Sequence, residues 1–308
     1  MNYTLHQLQI FSKVVELKSV TKASEELFLS QPAVSMQLKK FQDQFSIPLT
    51  EVVGRQLYVT DFGREIAEAA EKILAEVEAI NYKTLSQQGK LAGKLKIAIV
   101  STAKYAMPYF LSGFMEKHPG VDLLMDVTNK AEVIKSLENN EVDFAMVSVL
   151  PEHLSLNKIE LMQNKLFLVS STNFSLQNKR ITKTIFEKHP IIYREKGSAT
   201  RAAMEKFLSS LNVPDKKKIE LKSNEALKQA LIAGLGISIM PLIGLKNELK
   251  DNELQIIPFK NLPIKTNWNL IWLQSKKLSP VASEYLKYIQ SEKEKIIKDT
   301  FSWYEAYN

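Results

Sequence analysis

Apolar positions recur at two different periods along this chain, and the change of period divides it. Over residues 3–17, Leu5, Leu8, Phe11 and Val15 fall at helical spacing, which predicts a first helix with those four side chains inward. Ser19 is placed to cap a second helix over 20–27, with Ala23 and Leu27 facing in. A third helix follows a tight turn, with Ser30 in the capping position and Pro32 in the first turn, where its missing N–H is not needed. Val34, Leu38, Phe41 and Phe45 then form one apolar stripe, the helix ends near Gln44, and Pro48 breaks the pattern. At about 100° per residue, Pro32, Ser35, Met36 and Lys39 lie opposite that stripe, with Gln31 at the exposed tip. One face anchored to a small core and another presenting hydrogen-bonding groups and a cation is the pattern of a helix that enters a DNA groove. A surface helix in an all-α lobe would show the same amphipathic pattern, so the stretch alone leaves both readings open.

In VVGRQLYV (52–59), strand-forming residues flank Gly54, which predicts a small hairpin, a wing, with Arg55 at its tip. Arg55 there would reach the phosphate backbone or the minor groove; the alternative is a solvated loop charge. From Asp61 to about Gln88 there is no internal proline, and the one glycine, Gly63, sits in the first turn. Ile66, Ala69, Ile73, Val77 and Ile80 form a near-heptad seam flanked by Glu and Lys. About 27 residues give a rod of roughly 40 Å. A helix so thinly apolar needs a partner, which predicts a symmetric dimer contact. A two-fold axis would then place two copies of the third helix about 34 Å apart, one turn of DNA, on an inverted-repeat site.

Gly89–Gly93 (GKLAG) reads as a flexible linker, and beyond it strands and helices alternate. Strands are predicted at 95–100, 121–127, 144–149, 166–170, 191–193, 219–221, 236–240, 254–258 and 268–273. Helices are predicted near 103–117, 131–139, 182–188, 200–211 and 225–233, and from Ser279 onward. Such alternation argues for an α/β domain with a largely parallel sheet. The aromatic tail, residues 293–308 with Phe301, Trp303 and Tyr304, receives no assignment from its pattern.

The segments LHQLQIFSKVV (5–15), SVTKASEE (19–26), LSQPAVSMQL (29–38) and GRQLYVTDFG (54–63), followed by a long helix, resemble the LysR-type bacterial transcriptional regulators, and the resemblance extends over nearly the whole chain. It implies a winged helix-turn-helix over 1–60, a dimerising linker helix over 61–90, and an effector-binding domain over 91–308. The last would be a two-lobed α/β domain resembling type 2 periplasmic binding proteins. Its first lobe would be about 91–165 plus 267–290, its second about 166–266, with a ligand cleft between. The DNA-contacting residues it implies are Gln31, Pro32, Ser35, Met36, Lys39, Lys40 and Arg55. The implied partners are double-stranded DNA, a small effector, a second copy of the chain, pairs of dimers as tetramers, and RNA polymerase. Met36 departs from the family, many of whose members carry a basic residue there, and this bears on base preference.

Composition modifies this picture in one respect. The net charge of +7 invites a nucleic-acid reading, but residues 1–60 carry 6 Lys and Arg against 5 Asp and Glu, and residues 61–88 carry 3 against 6. The basic excess lies in the remainder, so affinity for DNA must come from local placement of Lys39, Lys40, Arg55 and helix N-termini. An apolar fraction of 45% is that of a globular protein, and 308 residues suit two or three domains. The absence of cysteine excludes a disulfide framework and thiolate metal sites, which fits a reducing cytosol. The start, MNYTLHQLQ, lacks the pattern of a signal peptide, and the most apolar window, Ala230–Leu245, is too short to span a bilayer. A cytoplasmic protein without membrane contact is the expectation.

No catalytic constellation stands out, and neither an enzyme nor a cofactor is expected. His6, His118, His153 and His189 follow no metal-ligand spacing, and Gly234-Leu-Gly236 reads as a helix C-terminus rather than a dinucleotide fingerprint. A ligand site is better supported. Ser101, Thr102 and Lys104 follow a strand and open a helix, and Ser198, Thr200 and Arg201 repeat the arrangement in the other lobe. Two helix N-termini with a nearby Lys and Arg would favour a small anion. The competing reading is that these hydroxyls merely cap helices. Asn129, Ser148, Ser223 and Asn224, at strand ends, are further candidates.

STAKY (101–105), EKGSATRAAMEKF (195–207), SNEALKQALIAGLGIS (223–238) and KKLSPVASEYL (276–286) resemble regulators of RuBisCO operons. That subgroup is associated with phosphorylated metabolites or reduced nicotinamide nucleotides; related sulfur-metabolism regulators share the second-lobe motifs and respond to sulfur oxyanions. Ala199 replaces the commoner glycine of the G-S-G-T-R motif, which alters pocket shape. Family precedent favours activation with autorepression. The alternative to a regulator is a small-molecule binding protein whose N-terminal helices serve only assembly.

Overall fold

Thr4 and Gln7 cap one another across the first turn of α1 (Leu5–Leu17), so the chain enters its first helix with its leading N–H groups satisfied. Ser19 caps α2 (Val20–Glu26) by accepting from the Lys22 amide, and a turn at Phe28 and Leu29 leads into α3 (Gln31–Gln42). A hairpin of β1 (Thr50–Val53) and β2 (Gln56–Val59) turns at Gly54, whose φ of +65° suits glycine. Thr60 then starts α4 (Asp61–Gln87) by accepting from the Gly63 amide, and a Cβ at Gly63 would collide with the Leu49 carbonyl. The computed structural model describes residues 3–54, 56–87, 90–174, 181–213 and 218–307, in two compact units, 1–90 and 91–308.

The first unit is held by Leu8, Ile10, Phe11, Val14, Ala23, Val34, Leu38, Phe41 and Leu49, closed from α4 by Ala67 and Ala70. Two expected faces are shifted. Leu5 is 45% exposed and Val15 half-buried, while Gln7, Ile10 and Val14 are buried, because α1 packs against α2, α3 and α4 at once and its inward arc is rotated toward them. On α4, Ile66 joins Phe62 and Leu74 against the protomer's own core, while Ala69, Ile73 and Ile80 face outward.

The second unit begins with β3 (Ala92–Val100), which takes Ala92 and Gly93 from the expected linker; residues 88–89 lie outside the described residues. There follow α5 (Met107–Lys117), β4 (Gly120–Thr128), α6 (Lys130–Glu138), β5 (Phe144–Val147) and β6 (Leu156–Ser171). Next come α7 (Thr184–Lys188), β7 (Ile191–Arg194), α8 (Ala199–Ser210), β8 (Lys218–Leu221), α9 (Asn224–Ile232) and β9 (Ser238–Pro241). The chain ends with α10 (Lys246–Lys250), β10 (Leu254–Ile256), β11 (Ile264–Leu273) and α11 (Pro280–Glu305).

The expected largely parallel sheet is mixed instead. Strands run in the order β10, β6, β11, β5, β3, β4, with β9 also on β6; a separate pair, β7 and β8, is parallel. β3 is parallel to β4 and β5, but β11 is antiparallel to both β5 and β6. The cause is β6, 16 residues long, which pairs with β11 over Leu156–Leu166 and with β9 and β10 over Leu166–Ser171. Its first half carries Asn157, Lys158, Glu160, Gln163, Asn164 and Lys165, too polar to read as strand by sequence. β6 and β11 are thus the two strands shared by the lobes. The first lobe's core centres on Phe110, Phe114, Phe144, Trp268 and Tyr285. A second core, Leu168, Phe186, Ile191, Tyr193, Met204, Phe207 and Ile239, fills the other lobe.

The aromatic tail continues α11, with a non-helical residue at Phe301, and folds onto its own unit. Phe301 and Tyr304 are buried. The Tyr304 hydroxyl accepts from the Lys165 amide at 2.8 Å, and Lys165 Nζ donates to the carbonyls of Tyr304, Glu305 and Tyr307. The one buried lysine of β6 is therefore the cap of the last helix.

Candidate functional site

α3 presents its polar face as its spacing predicts. Val34, Leu38 and Phe41 are buried; Gln31, Pro32, Met36, Lys39 and Lys40 are exposed, and Ser35 is half-buried beside Gln31, whose Nε2 donates to its Oγ at 3.4 Å. Ser30 occupies the cap position but makes no side-chain cap bond, contrary to expectation. Pro32 has no N–H to offer, and the Ala33 and Val34 amides go to the Ser30 backbone carbonyl instead. The Gln31 amide and the Ser30 hydroxyl therefore stand at the helix tip, where partial positive charge favours a phosphate. Arg55 lies outside the described residues.

Between the lobes the candidates separate into three groups. The innermost is organised by a residue that the sequence reading missed. Arg194, the last residue of β7, is 2% exposed. Its guanidinium donates to both carboxylate oxygens of Glu195 (2.8 and 2.9 Å), to Ser101 Oγ across the lobes (3.1 Å), to Asn224 Oδ1 and to the Lys222 carbonyl. Asn224 is 3% exposed, and its Nδ2 has no acceptor. Ser101, Arg194 and Asn224 thus meet at one point, with a buried donor left unanswered. The available signal was a charge ending an otherwise apolar strand, Ile191-Ile192-Tyr193-Arg194.

The second group gathers around an interlobe cleft of about 950 Å³, walled by the start of α6, by residues 149–153 and by the start of α8, and of the candidates Ser198 and Arg201 line it. Asn129 comes close to Gly197 of the other lobe, since a Cβ at Gly197 would lie 3.5 Å from Asn129 Oδ1. Burial, opposed by Glu152, holds the Lys130 ammonium in this wall below its usual value. Here the capping reading holds for several candidates. Asn129 accepts from the Glu132 amide, Ser198 from Arg201 and Ser223 from Ala226. Arg201 lines the cleft, but its guanidinium is paired with Glu205 and Glu220 and donates to the Arg194 carbonyl; those two carboxylates raise its already high pKa. Thr102 and Thr200 are buried, and Ser148 is half-buried after β5.

The third group is a latch. The expected helix at 103 is only a short 3₁₀ turn, Ala103–Tyr105, with α5 starting at Met107, so Ser101–Lys104 does not head an α-helix. Lys104 instead pairs with Glu225 of the other lobe at 3.1 Å, and the Tyr105 hydroxyl donates to the same carboxylate. Lys228, 8% exposed, bridges Glu225 (2.8 Å) and Glu248 (2.6 Å) and lies over the Tyr105 ring. Burial and the Glu225 hydrogen bond push the Tyr105 phenol far up. Burial pushes the Glu225 carboxyl up, but hydrogen bonds from Lys228, Tyr105 and Lys104 outweigh it and bring it down to about 2 from 4.5. A carboxyl lowered on folding stabilises the fold fully above its unfolded value, and that contribution is lost as pH falls through the folded one. We therefore expect Glu225→Gln to lower the urea midpoint of the full chain at about pH 7 and to flatten its fall between roughly pH 5 and 2. Parallel pH profiles for the two proteins would show that the latch does not hold this carboxylate.

Among the described residues no cluster of His, Cys, Asp or Glu could hold a metal ion, and no helix is long and apolar enough to cross a membrane.

Comparison with known proteins places both units. Residues 5–64 match the model of the bacterial regulatory helix-turn-helix protein, lysR family, and residues 88–294 match the LysR substrate binding domain. The chain is 34% identical over 296 residues to the HTH-type transcriptional activator CmpR of Synechocystis, covering 96% of this chain and 97% of that protein. It is 33% identical over 293 residues to the RuBisCO operon transcriptional regulator of Allochromatium vinosum, covering 95% and 97% respectively. Among solved structures, the CcmR regulatory domain of Synechocystis PCC6803 in complex with 2-PG is 34% identical with a TM-score of 0.62, covering 66% of this chain and 98% of that one. Full-length CbnR complexed with its target DNA shares the fold, at 19% identity and a TM-score of 0.69, over 93% of this chain and 99% of that one. A winged helix-turn-helix with an outward polar helix, joined through a long helix to a two-lobed α/β unit, and matched along nearly its whole length to such relatives, identifies the chain as a member of the LysR family of DNA-binding transcriptional regulators.

Proposed function

We propose that this regulator reads an inverted-repeat duplex through α3 and takes a small anionic metabolite between its lobes, anchored on Arg194. The observation that carries the effector reading is the buried Arg194 guanidinium joining Ser101 of one lobe to Asn224 of the other, beside an Asn224 Nδ2 with no acceptor. An oxyanion seated there would accept from both groups and tie the lobes together, and charge-assisted hydrogen bonds of this kind are the strong ones. The 2-PG in the CcmR complex is the ligand to try first. Ser101, Thr102 and Asn224 are the proposed direct contacts, with Ser148, Ser198 and Thr200 lining the approach. Asn129 and Ser223 fix the helix starts around it. Arg201 acts through the Arg194 carbonyl, and Lys104 through the latch. A ligand that prefers one degree of lobe closure shifts the population toward it, and through it the placement of the DNA-reading pairs.

Homodimerisation through the outward face of α4, pairing of dimers into tetramers, a cytoplasmic location, contact with RNA polymerase and the absence of catalysis complete the reading; the relatives' roles as transcriptional regulators support it. Thermal shift of the full chain against 2-PG and inorganic phosphate tests the effector site, with stabilisation by 2-PG expected; no shift with any small anion would remove it. For the DNA face, Lys39→Ala is expected to weaken binding to a duplex that the wild-type chain enriches from random sequences and to reduce the slope of log K against log salt by about 1, one phosphate contact. An unchanged slope would remove Lys39 from the interface.

A further inference from the structure

The side chain that points most directly out of α3 is neither a donor nor a cation. At 100° per residue, Met36 stands about 160° from Val34 and Leu38 and about 140° from Phe41, the three residues that bury the helix. It is 52% exposed, and among the described residues no hydrogen bond or ring contact ties it down. Pro32 and Lys40 lie about 40° to either side of it, so the outermost ridge of the helix is apolar for one full turn before it becomes basic. Gln31 and Ser35, the hydrogen-bonding pair, sit off to one flank.

From this we infer that Met36 is a specificity-determining residue that reads the C5-methyl group of a thymine in each half-site, an inference that rests on α3 being the base-reading helix. The argument is one of exclusion and gain. In the major groove the hydrogen-bonding atoms of guanine, adenine and cytosine dominate their edges, and a thioether laid over them displaces water without replacing its bonds. Thymine alone carries a methyl group there. The unbranched methionine side chain has the reach and adaptability to cover it. Its neighbours Lys39 and Lys40 engage phosphate, which positions the helix without reading sequence.

The test uses chemistry on the DNA, which leaves the protein's folding untouched. The full-length chain is used to enrich a site from random duplexes, and each thymine of that site is replaced in turn by deoxyuridine, which lacks only the methyl. One thymine per half-site is expected at which the replacement weakens wild-type binding about fourfold, the value of one buried methyl. Met36→Leu should retain that sensitivity, and Met36→Ala should lose it. An enriched site with no methyl-sensitive thymine, or a sensitivity that Met36→Ala shares, overturns the inference while leaving α3 as the reading helix. Enrichment of no sequence at all overturns the reading helix and the inference together.

Discussion

Replacing Arg194 by alanine is expected to abolish the thermal shift produced by 2-PG and to cost the fold about 3 kcal/mol, the scale for breaking a buried ion pair. The side chain is 2% exposed and its partner Glu195 only 15%, so the substitution strands a carboxylate in a poorly hydrated place. It also leaves Asn224 Oδ1 without its donor and parts Ser101 from the second lobe. Arg194→Lys separates the two consequences. A lysine keeps the charge near Glu195 but has no planar fork with which to reach Ser101, Asn224 and Glu195 together. Part of the stability should return in that variant, without the ligand shift. The measurement is thermal denaturation of the full chain with and without 2-PG, and an undiminished shift in Arg194→Ala would move the effector site elsewhere.

A charge at Ile73 is expected to dissociate the protein and to reduce affinity for an inverted-repeat duplex by about a hundredfold or more, because the second half-site is then no longer held at high effective concentration. Ile73 is 42% exposed on the outward face of α4, next to Ala69 one turn before, while Ile66, Ala67, Ala70 and Leu74 are turned into the protomer. Apolar residues kept outward on a long helix are hydrophobic surface awaiting a partner. Ile73→Asp would place a carboxylate in the proposed dimer contact without disturbing the protomer's own core. Sedimentation equilibrium and titration of the duplex would check both effects; a variant that remains dimeric with native affinity would place the interface off α4.

The parts of this protein legible in its sequence are those set by local periodicity. The polar face of α3, the hairpin around Gly54, the length of α4 and the αL glycine after α9 follow from which side chains suit a helix, turn or cap, and neighbours in sequence decide that. The same logic offered Ser198 as a helix cap, whereas Asn129 and Ser223, expected as ligand candidates at strand ends, cap the helices that follow them. Where the expectation failed, the deciding partner was distant. β6 is a strand through its polar half because β11 supplies a ladder to Lys158, Glu160 and Gln163, a hundred or so residues away. Lys165 is buried because the carbonyls of the last helix close over it. Arg201 could be matched to Glu205 one turn on, but its second carboxylate, Glu220, belongs to another strand.

The sequence by itself determined most of the helices and strands and the outward polar face of α3, since each depends on short-range pattern, and the resemblance to the family supplied the two-part architecture. Only the tertiary structure decided which charge sits at the meeting of the lobes. Arg194, Ser101 and Asn224 are 93 and 30 residues apart along the chain and become one site only when two lobes are laid against each other. A buried guanidinium is tolerated where every partner is in place at once, and that is a property of the assembled fold.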